Sequence, residues 1–406
     1  MEKGESKRIG YLVSEYPAVS HTFIFREIKV LRTLGFEIYT ASIRKPSLPE
    51  RMTKEEKEES ENTFYVLGVS FFNILKSLIS LILFRPGPFL KMFFFSLGPV
   101  RKSCIGLLKS IFYFVEALIL LDWAVKNKIN HIHVHFANPA ATVAMIASES
   151  GLIDFSMSVH GPDIFYNVEK NMLKEKIKKS KFVRCISYFS RSQLMMLVPY
   201  EHWNKFHIVR CGIDPKDFSP RPLPDKKPYE ILCLGRLVPA KGQHILIEAF
   251  KELRENNINC HLTFVGGGGD MESLKREAEN LGLSNYITFT GPVSPNKVHE
   301  YYDKAHVFVL PSFAEGVPVV LMEAMSKEIP VVSTRITGIP ELIEHNVSGL
   351  LSPPSDSKDL ARNIERVLKD KEFAKRLGSE GRRKVIDKYN LEENCKMMGE
   401  VFGNVV

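Results

Sequence analysis

An α/β fold of two doubly wound, parallel-sheet domains is what this sequence predicts, on three observations. Short apolar runs alternate with longer stretches of helical periodicity, the order strand, helix, strand of a parallel sheet. The alternation runs twice, on either side of "PKDFSPRPLPDKKPYE", which packs five prolines into the sixteen residues from Pro215 to Glu230 and has the composition of a linker. The length of 406 residues also exceeds the ~100 to 200 of an ordinary domain. The expected division is an amino-terminal domain over 1–214, a linker over 215–230, a carboxyl-terminal domain over 231–385 and a helix over 386–406 that packs back on the amino-terminal domain.

The elements follow in order. "RIGYLVSEYP" (Arg8 to Pro17) is a first strand and its loop, "HTFIFREIKVLRTLG" a helix closed by Gly35, and "FEIYTASI" a second strand. "HIHVHF" (131–136), "FSMSVHG" (155–161), "KFVRCIS" (181–187) and "FHIVRCGID" (206–214) are further strand candidates. Beyond the prolines come "ILCLGRL", a helix through "HILIEAFKELREN", then "HLTFVGGGG", another helix, "ITFTG", "AHVFVLPS", "IPVVSTR" and "GLLSPP". Two such domains leave a cleft beyond the carboxyl ends of their sheets, where a ligand is expected.

Residues 64–128 break the alternation. They hold ten of the 27 phenylalanines, with eight Lys or Arg against two acids. A membrane span needs ~20 apolar residues, and Lys76, Arg85, Pro86 and Pro88 interrupt every run before that length. Two readings stand: a pair of buried helices covering the sheet, or a basic, aromatic surface lying on an anionic leaflet, with Phe93, Phe94 and Phe95 beside Lys91, Arg101 and Lys102.

Composition sets limits on function. A hydrophobic share of 44% with 25% charged residues is globular and excludes disorder. The formal charge of +8 favours an anionic ligand or surface and speaks to encounter alone. Cys104, Cys185, Cys211, Cys233, Cys260 and Cys395 have no CxxC spacing, and "MEKGESKRIG" has no apolar signal core, so a reducing cytoplasm is expected and no zinc site.

Three motifs carry chemistry. In "LGRLVPAKGQ", Arg236 and Lys241 follow a strand, and two cations converging in a cleft suit a diphosphate, whose leaving phosphate gains charge as its bond breaks. A pair of solvated surface cations is the bland alternative. "FVGGGGDMESL" places a glycine turn between strand and helix, which lets backbone approach phosphate or a base, but it departs from GxGxxG. In "PSFAEGVPVVLMEAM", Glu315 lies in a loop and Glu323 two helical turns later. Carboxylates accept strongly from sugar and ribose hydroxyls, so both fit one side of a nucleotide sugar, against the alternative of two exposed carboxylates.

The set "GRLVPAKG", "FVGGGG", "TFTGPVS", "HVFVLPSFAEGVPVVLMEAM", "PVVSTRITGIPELIEHNVSGLL" and "VRCGIDPKDFSP" resembles the retaining nucleotide-sugar glycosyltransferases of family 4. The amino half is similar at "SEYPAVSHTFIFREI", "HIHVHFA" and "SMSVHGPDIF", most like the branch that builds bacterial exopolysaccharides of the colanic acid or amylovoran kind. The resemblance implies a GT-B fold, two Rossmann-like domains facing across a cleft. It implies that Arg236 and Lys241 hold the donor diphosphate, Glu323 the ribose and Glu315 the transferred sugar. Gly235, Gly266, Gly267, Ser312 and Pro318 complete the implied donor site, with the NH groups of Gly316 and Val317 near sugar or phosphate. His160 matches the family's histidine beside the sugar, Asp163 supports its loop, and Ser20, His21 and Thr22 form the loop that closes over the diphosphate.

Retention in this family is ascribed to attack from the leaving-group face, so charge stabilisation by Arg236 and Lys241 and positioning carry the chemistry. No DxD occurs in the chain, and neither a metal nor a cofactor is expected beyond the nucleotide-sugar donor. The acceptor is expected to be a saccharide or a polyprenyl-linked saccharide, with peripheral contact to an anionic membrane and no nucleic-acid partner. A nucleotide-sugar epimerase or a glycogen-type phosphorylase shares parts of the pattern. A membrane-bound scaffold or a nicotinamide-dependent oxidoreductase leaves the cations and paired carboxylates without a role.

Overall fold

In each half of the chain the first strand lies in the middle of its sheet. The structure is a computed structural model that describes residues 8–18, 22–161, 164 and 168–405. It divides into one unit of Met1–Val209 with Cys395–Val406 and a second of Arg210–Asn394. In the first unit β1 (Arg8–Glu15), β2 (Glu37–Arg44), β3 (Phe64–Tyr65), β4 (His131–His135), β5 (Asp154–Val159), β6 (Val183–Cys185) and β7 (Phe206–Ile208) form a seven-stranded sheet in the order β3-β2-β1-β4-β5-β6-β7. In the second, β8 (Tyr229–Leu234), β9 (Cys260–Val265), β10 (Ile287–Phe289), β11 (Val307–Leu310), β12 (Val331–Thr334) and β13 (Leu350–Ser352) form a six-stranded sheet in the order β10-β9-β8-β11-β12-β13. Every pairing is parallel.

This is the doubly wound, Rossmann-like order. The chain builds outward from the first strand, then crosses back to build on its other side. The reversal falls between β1 and β4 in one unit and between β8 and β11 in the other. At such a point the loops beyond the carboxyl ends diverge and leave a crevice. The strands are apolar because helices bury them on both faces. Leu12, Ile132, Val134 and Phe155 form the first core with helices Leu107–Lys126 and Pro139–Ser148, while Ile231, Leu262, Phe264 and Val309 form the second with helices Gln243–Glu255 and Ser357–Lys369.

Residues 64–128 give the first unit its edge strand β3 and then helices. Phe71–Phe84 and Pro86–Arg101 are bent by 114°, at the break where Pro86 and Pro88 follow Arg85. Among the described residues no single helix is long and apolar enough to cross a membrane. Phe93 and Phe95 are partly buried against the core and Phe94 is exposed, so the three adjacent rings do not share one outer surface. Their spacing of one residue turns each about 100° around the helix from the last.

The proline-rich stretch packs onto the second unit. Phe218 is buried with its ring on His299 at 5.1 Å, and the Arg221 guanidinium donates to the Ala305 carbonyl. At the carboxyl end, helix Lys371–Lys388 stops at Tyr389, where Ile213 bridges Asn390, and a separate helix runs from Leu391 to Val405. The part from Cys395 onward belongs to the first unit, where the Phe402 ring meets His133 at 5.4 Å and Phe182 at 5.7 Å.

Helix Lys371–Lys388 carries Gly378 at a place where a Cβ would stand 2.2 Å from the Glu328 carbonyl oxygen. Propensity favours alanine over glycine within a helix by ~1 kcal/mol, whereas backbone contact at that distance forces the helix off its seat. We expect Gly378→Ala to lower the melting temperature; a rise would show that the helix moves freely on its neighbour.

Candidate active site

The two loops that diverge at the second unit's switch point are joined by backbone bonds. After β8 the chain turns through Pro239–Lys241 and ends at Gly242, whose φ of +62° suits glycine and whose Cβ would lie 2.4 Å from the Pro311 carbonyl oxygen. After β11, the Phe313 and Ala314 NH groups donate to the Ala240 carbonyl at 2.8 and 3.2 Å. This clamp brings Lys241 to Glu315, and the Lys241 ammonium donates to the Glu315 carboxylate. Ser312 Oγ donates to the same carboxylate oxygen at 2.7 Å. The pair is sheltered, with side chains 17% and 10% exposed. From beneath, Thr334 Oγ1 donates to the Ser312 carbonyl at 2.6 Å and Thr337 Oγ1 to that of Glu315 at 2.7 Å.

Gly316, Val317 and Pro318 lead directly into helix Val319–Ser326, so their loop stands at the positive end of a helix dipole. Glu323 lies in that helix and accepts from the buried Tyr302 hydroxyl at 2.9 Å. Arg236 is exposed and makes no ion pair among the described residues, while Gln243 holds its carbonyl at 2.8 Å. The glycines serve loop packing first. Gly266, with φ of +135°, leaves only 2.0 Å between a built Cβ and the Gly235 carbonyl oxygen, and Gly267 abuts Pro292. Gly235 NH donates to Val265 and Gly266 NH to Gly291. Cys233, under this floor, is buried with its thiol pushed up to about 12 by desolvation, and offers no nucleophile.

Of the residues expected in the first unit, Ser20, His21 and Asp163 lie outside the described residues, and Thr22 begins helix Thr22–Thr33. His160 follows β5 and is buried. Its Nε2 meets His135 Nδ1 at 3.0 Å. On the other side of that ring, His135 Nε2 faces Glu27 Oε1 at 3.4 Å, with no better-aligned partner among the described residues. Glu27 is bonded by Arg184 at 2.5 Å and by the Tyr11 hydroxyl at 3.2 Å. Burial raises the Glu27 carboxyl, but the Arg184 guanidinium and His135 outweigh it and hold the group well below the usual range. Burial lowers His135 against the opposing pull of Glu27, and lowers His133 further.

Glu27, His135 and Arg184 were not singled out from the sequence, although signals existed. Glu27 sits on the buried stripe of its helix with Ile24, Ile28 and Leu31. Arg184 interrupts a buried strand, and His131, His133 and His135 alternate on one face of β4. An acid and a base each placed where only apolar residues belong are candidates for each other.

Residues 215–384 match the family described as glycosyl transferases group 1. The second unit is a group 1 glycosyltransferase domain. Across 380 residues, 88% of this chain and 89% of the relative, the protein is 28% identical to a putative colanic acid biosynthesis glycosyltransferase, WcaL, of Escherichia coli. Across 172 residues, 40% of this chain, it is 38% identical to the amylovoran biosynthesis glycosyltransferase AmsK of Erwinia amylovora. The HepE protein of Anabaena, solved in complex with UDP, superposes with a TM-score of 0.73 over 98% of this chain and all of its own, at 17% identity. These neighbours place the fold among GT-B glycosyltransferases, and the relatives are themselves named for colanic acid and amylovoran biosynthesis.

The buried chain of the first unit sets a pH dependence. Glu27, His133 and His135 all have pKa values depressed by folding, so each contributes stability above its unfolded pKa and loses it as pH falls. His207, His306 and His345 are depressed by burial in the same sense. For the histidines the loss begins near pH ~6.5, and for Glu27 below ~4.5. The melting temperature is therefore expected to fall steadily from pH 7 to pH 5, less steeply in His133→Gln; a flat profile would contradict the assignment of neutral buried imidazoles.

Proposed function

We propose that the protein is a retaining, metal-independent glycosyltransferase of exopolysaccharide assembly. It moves a hexosyl group from a nucleotide-diphosphate sugar to a saccharide or polyprenyl-linked saccharide. The observation that carries this reading is the meeting of Lys241 and Glu315 where the strand order of the group 1 domain reverses. A donor diphosphate carries more negative charge than one carboxylate, so it competes with Glu315 for the Lys241 ammonium. Glu315, released, accepts from hydroxyls of the transferred sugar, while Glu323 takes the ribose and the Gly316 and Val317 NH groups face sugar or phosphate. As the bond to the anomeric carbon breaks, charge gathers on the leaving phosphate, and Lys241 with Arg236 is its countercharge. His160 is the first unit's candidate for contact with the sugar. The UDP named with the HepE structure supports a nucleotide donor, and the names of the relatives support a polysaccharide product. Such an enzyme works on the cytoplasmic side, at the inner face of the membrane.

The test uses purified protein, a panel of nucleotide sugars and a chelator control, with donor hydrolysis and calorimetry as readouts. Lys241→Ala should cost ~3 kcal/mol of transition-state stabilisation, and turnover within about threefold of wild type would remove Lys241 from the chemistry. Glu323→Ala should weaken binding of the bare nucleoside diphosphate. Glu315→Ala should spare or tighten that binding, because it frees Lys241, and should still abolish transfer. Equal weakening by both would refute the division of roles.

A further inference from the structure

Helix Phe71–Phe84 is strongly apolar apart from one polar stripe, Asn73, Lys76, Ser77 and Ser80, and it is buried on one side only. Its inward stripe, Leu78 and Leu81, joins the core of the first unit. Its outward stripe, Leu75, Ile79 and Ile82, is exposed. Water does not favour so much exposed apolar surface on one helix, which marks a place where a partner or lipid covers it. The exposure continues at both ends, with Phe71 79% and Phe84 80% exposed, and onto the start of helix Leu107–Lys126, where Leu108 is 69% exposed. Most of the exposed large apolar side chains of the described chain fall between Leu67 and Phe112, far more clustered than scattered surface leucines would be.

The charges around this face are of one sign. Lys76, Arg85, Lys91, Arg101 and Lys109 are all exposed within it. The acids of the segment are occupied: Asp122 is bonded to Ser77 at 2.8 Å and to Lys126 at 2.6 Å, and Glu116 is half-buried, its carboxyl pushed up to about 7 by desolvation. A protein partner matched to this face would need acids set among apolar groups. A bilayer rich in anionic headgroups offers both over any area.

We propose that the outer face of helices Phe71–Phe84 and Pro86–Phe95, with the first turns of Leu107–Lys126, docks the protein on an anionic bilayer. The rings of Phe71, Phe72 and Phe84 enter the boundary between headgroups and acyl chains, and the lysines and arginines lie among the phosphates. Docking is at the surface, because Leu81, Met92 and Val100 stay in the protein core and anchor the bent pair from behind.

The test is flotation of the whole protein with vesicles of neutral lipid, alone or with about a third anionic lipid. Association at least about tenfold stronger with the anionic vesicles is expected, reduced by salt as the ~8 Å screening length shortens. Charge reversal at Lys76, Arg85 and Lys91, and separately Phe71→Ser with Phe84→Ser, should each weaken it at unchanged melting temperature, since these side chains are exposed. Equal binding to neutral vesicles, no binding at low salt, or a dimer in solution dispersed by the serine variant would overturn the proposal. Resistance to carbonate extraction would also overturn it, in favour of an inserted bent pair.

A second observation stands independently: His135 lies between Glu27, 3.4 Å from its Nε2, and His160, 3.0 Å from its Nδ1. A carboxylate held ionised by Arg184 repels a lone pair and attracts an N–H, so the neutral His135 ring turns its proton on Nε2 toward Glu27. Nδ1 is then an acceptor, and the partner it accepts from is His160 Nε2. We infer that Glu27 and His135 are positioning residues that keep the His160 proton on Nε2. The importance of this for transfer rests on the function proposed above; the tautomer does not. Nitrogen-15 histidine spectra of the protein alone at neutral pH should show His160 at least about tenfold in favour of the Nε2–H form. His135→Phe, which keeps the ring packing and the Glu27–Arg184 pair, should relax that preference. An Nδ1–H tautomer in the wild type, or an unchanged preference in the variant, would refute it whatever the activity.

Discussion

The reversal of strand order in each sheet is the constraint on which the rest of this structure depends. A doubly wound sheet must send the connections after β1 and β4, or after β8 and β11, in opposite directions, so backbone between them cannot close the space above the strands. In the second unit that space holds the Lys241–Glu315 pair. In the first, the end of β4 presents His135 beside the helix that follows β1, which carries Glu27. The same topology thus places charge at the carboxyl edge of both sheets, by different residues.

The two charge groups are built for different ends. The ammonium and carboxylate of the second unit keep some contact with solvent and are held by loops. Their partner can be exchanged for a ligand at modest desolvation cost. The Glu27–Arg184 pair is buried on all sides, and removing either partner would leave an uncompensated charge at a cost of ~3–5 kcal/mol. It behaves as a fixed electrode, and its field sets the protonation of the imidazoles next to it.

The apolar hairpin shows the limit of composition as a guide. Ten phenylalanines among eight basic residues in 64–128 left a covered core element and a membrane-facing surface equally open, and the helices are buried on one side and exposed on the other. Periodicity could not choose, because the one polar stripe, Asn73, Lys76, Ser77 and Ser80, is itself divided by the fold: Ser77 is buried while Lys76 is exposed. The partner of Ser77, Asp122 in helix Leu107–Lys126, lies 45 residues further along the chain. For the same reason Phe93, Phe94 and Phe95 were read as one surface, when helix geometry sends Phe93 onto Phe89 and Phe114 and leaves only Phe94 in the open.

By itself the sequence determined the alternation of strand and helix, the two parallel sheets, and the loops carrying Arg236, Lys241, Glu315 and Glu323. These depend on short-range patterns: apolar periodicity, glycine and proline punctuation, and loops that follow strands. Tertiary structure alone decided which side chains meet. Lys241 and Glu315 are 74 residues apart, and Glu27 and Arg184 are 157 apart; no local pattern encodes a contact at that separation. It also decided that the glycines of "FVGGGG" close loops against one another and that the prolines after Pro215 pack on the second unit. The physical reason is common to all of these: propensity acts over a few residues, while burial and charge pairing are satisfied only by groups the fold brings together.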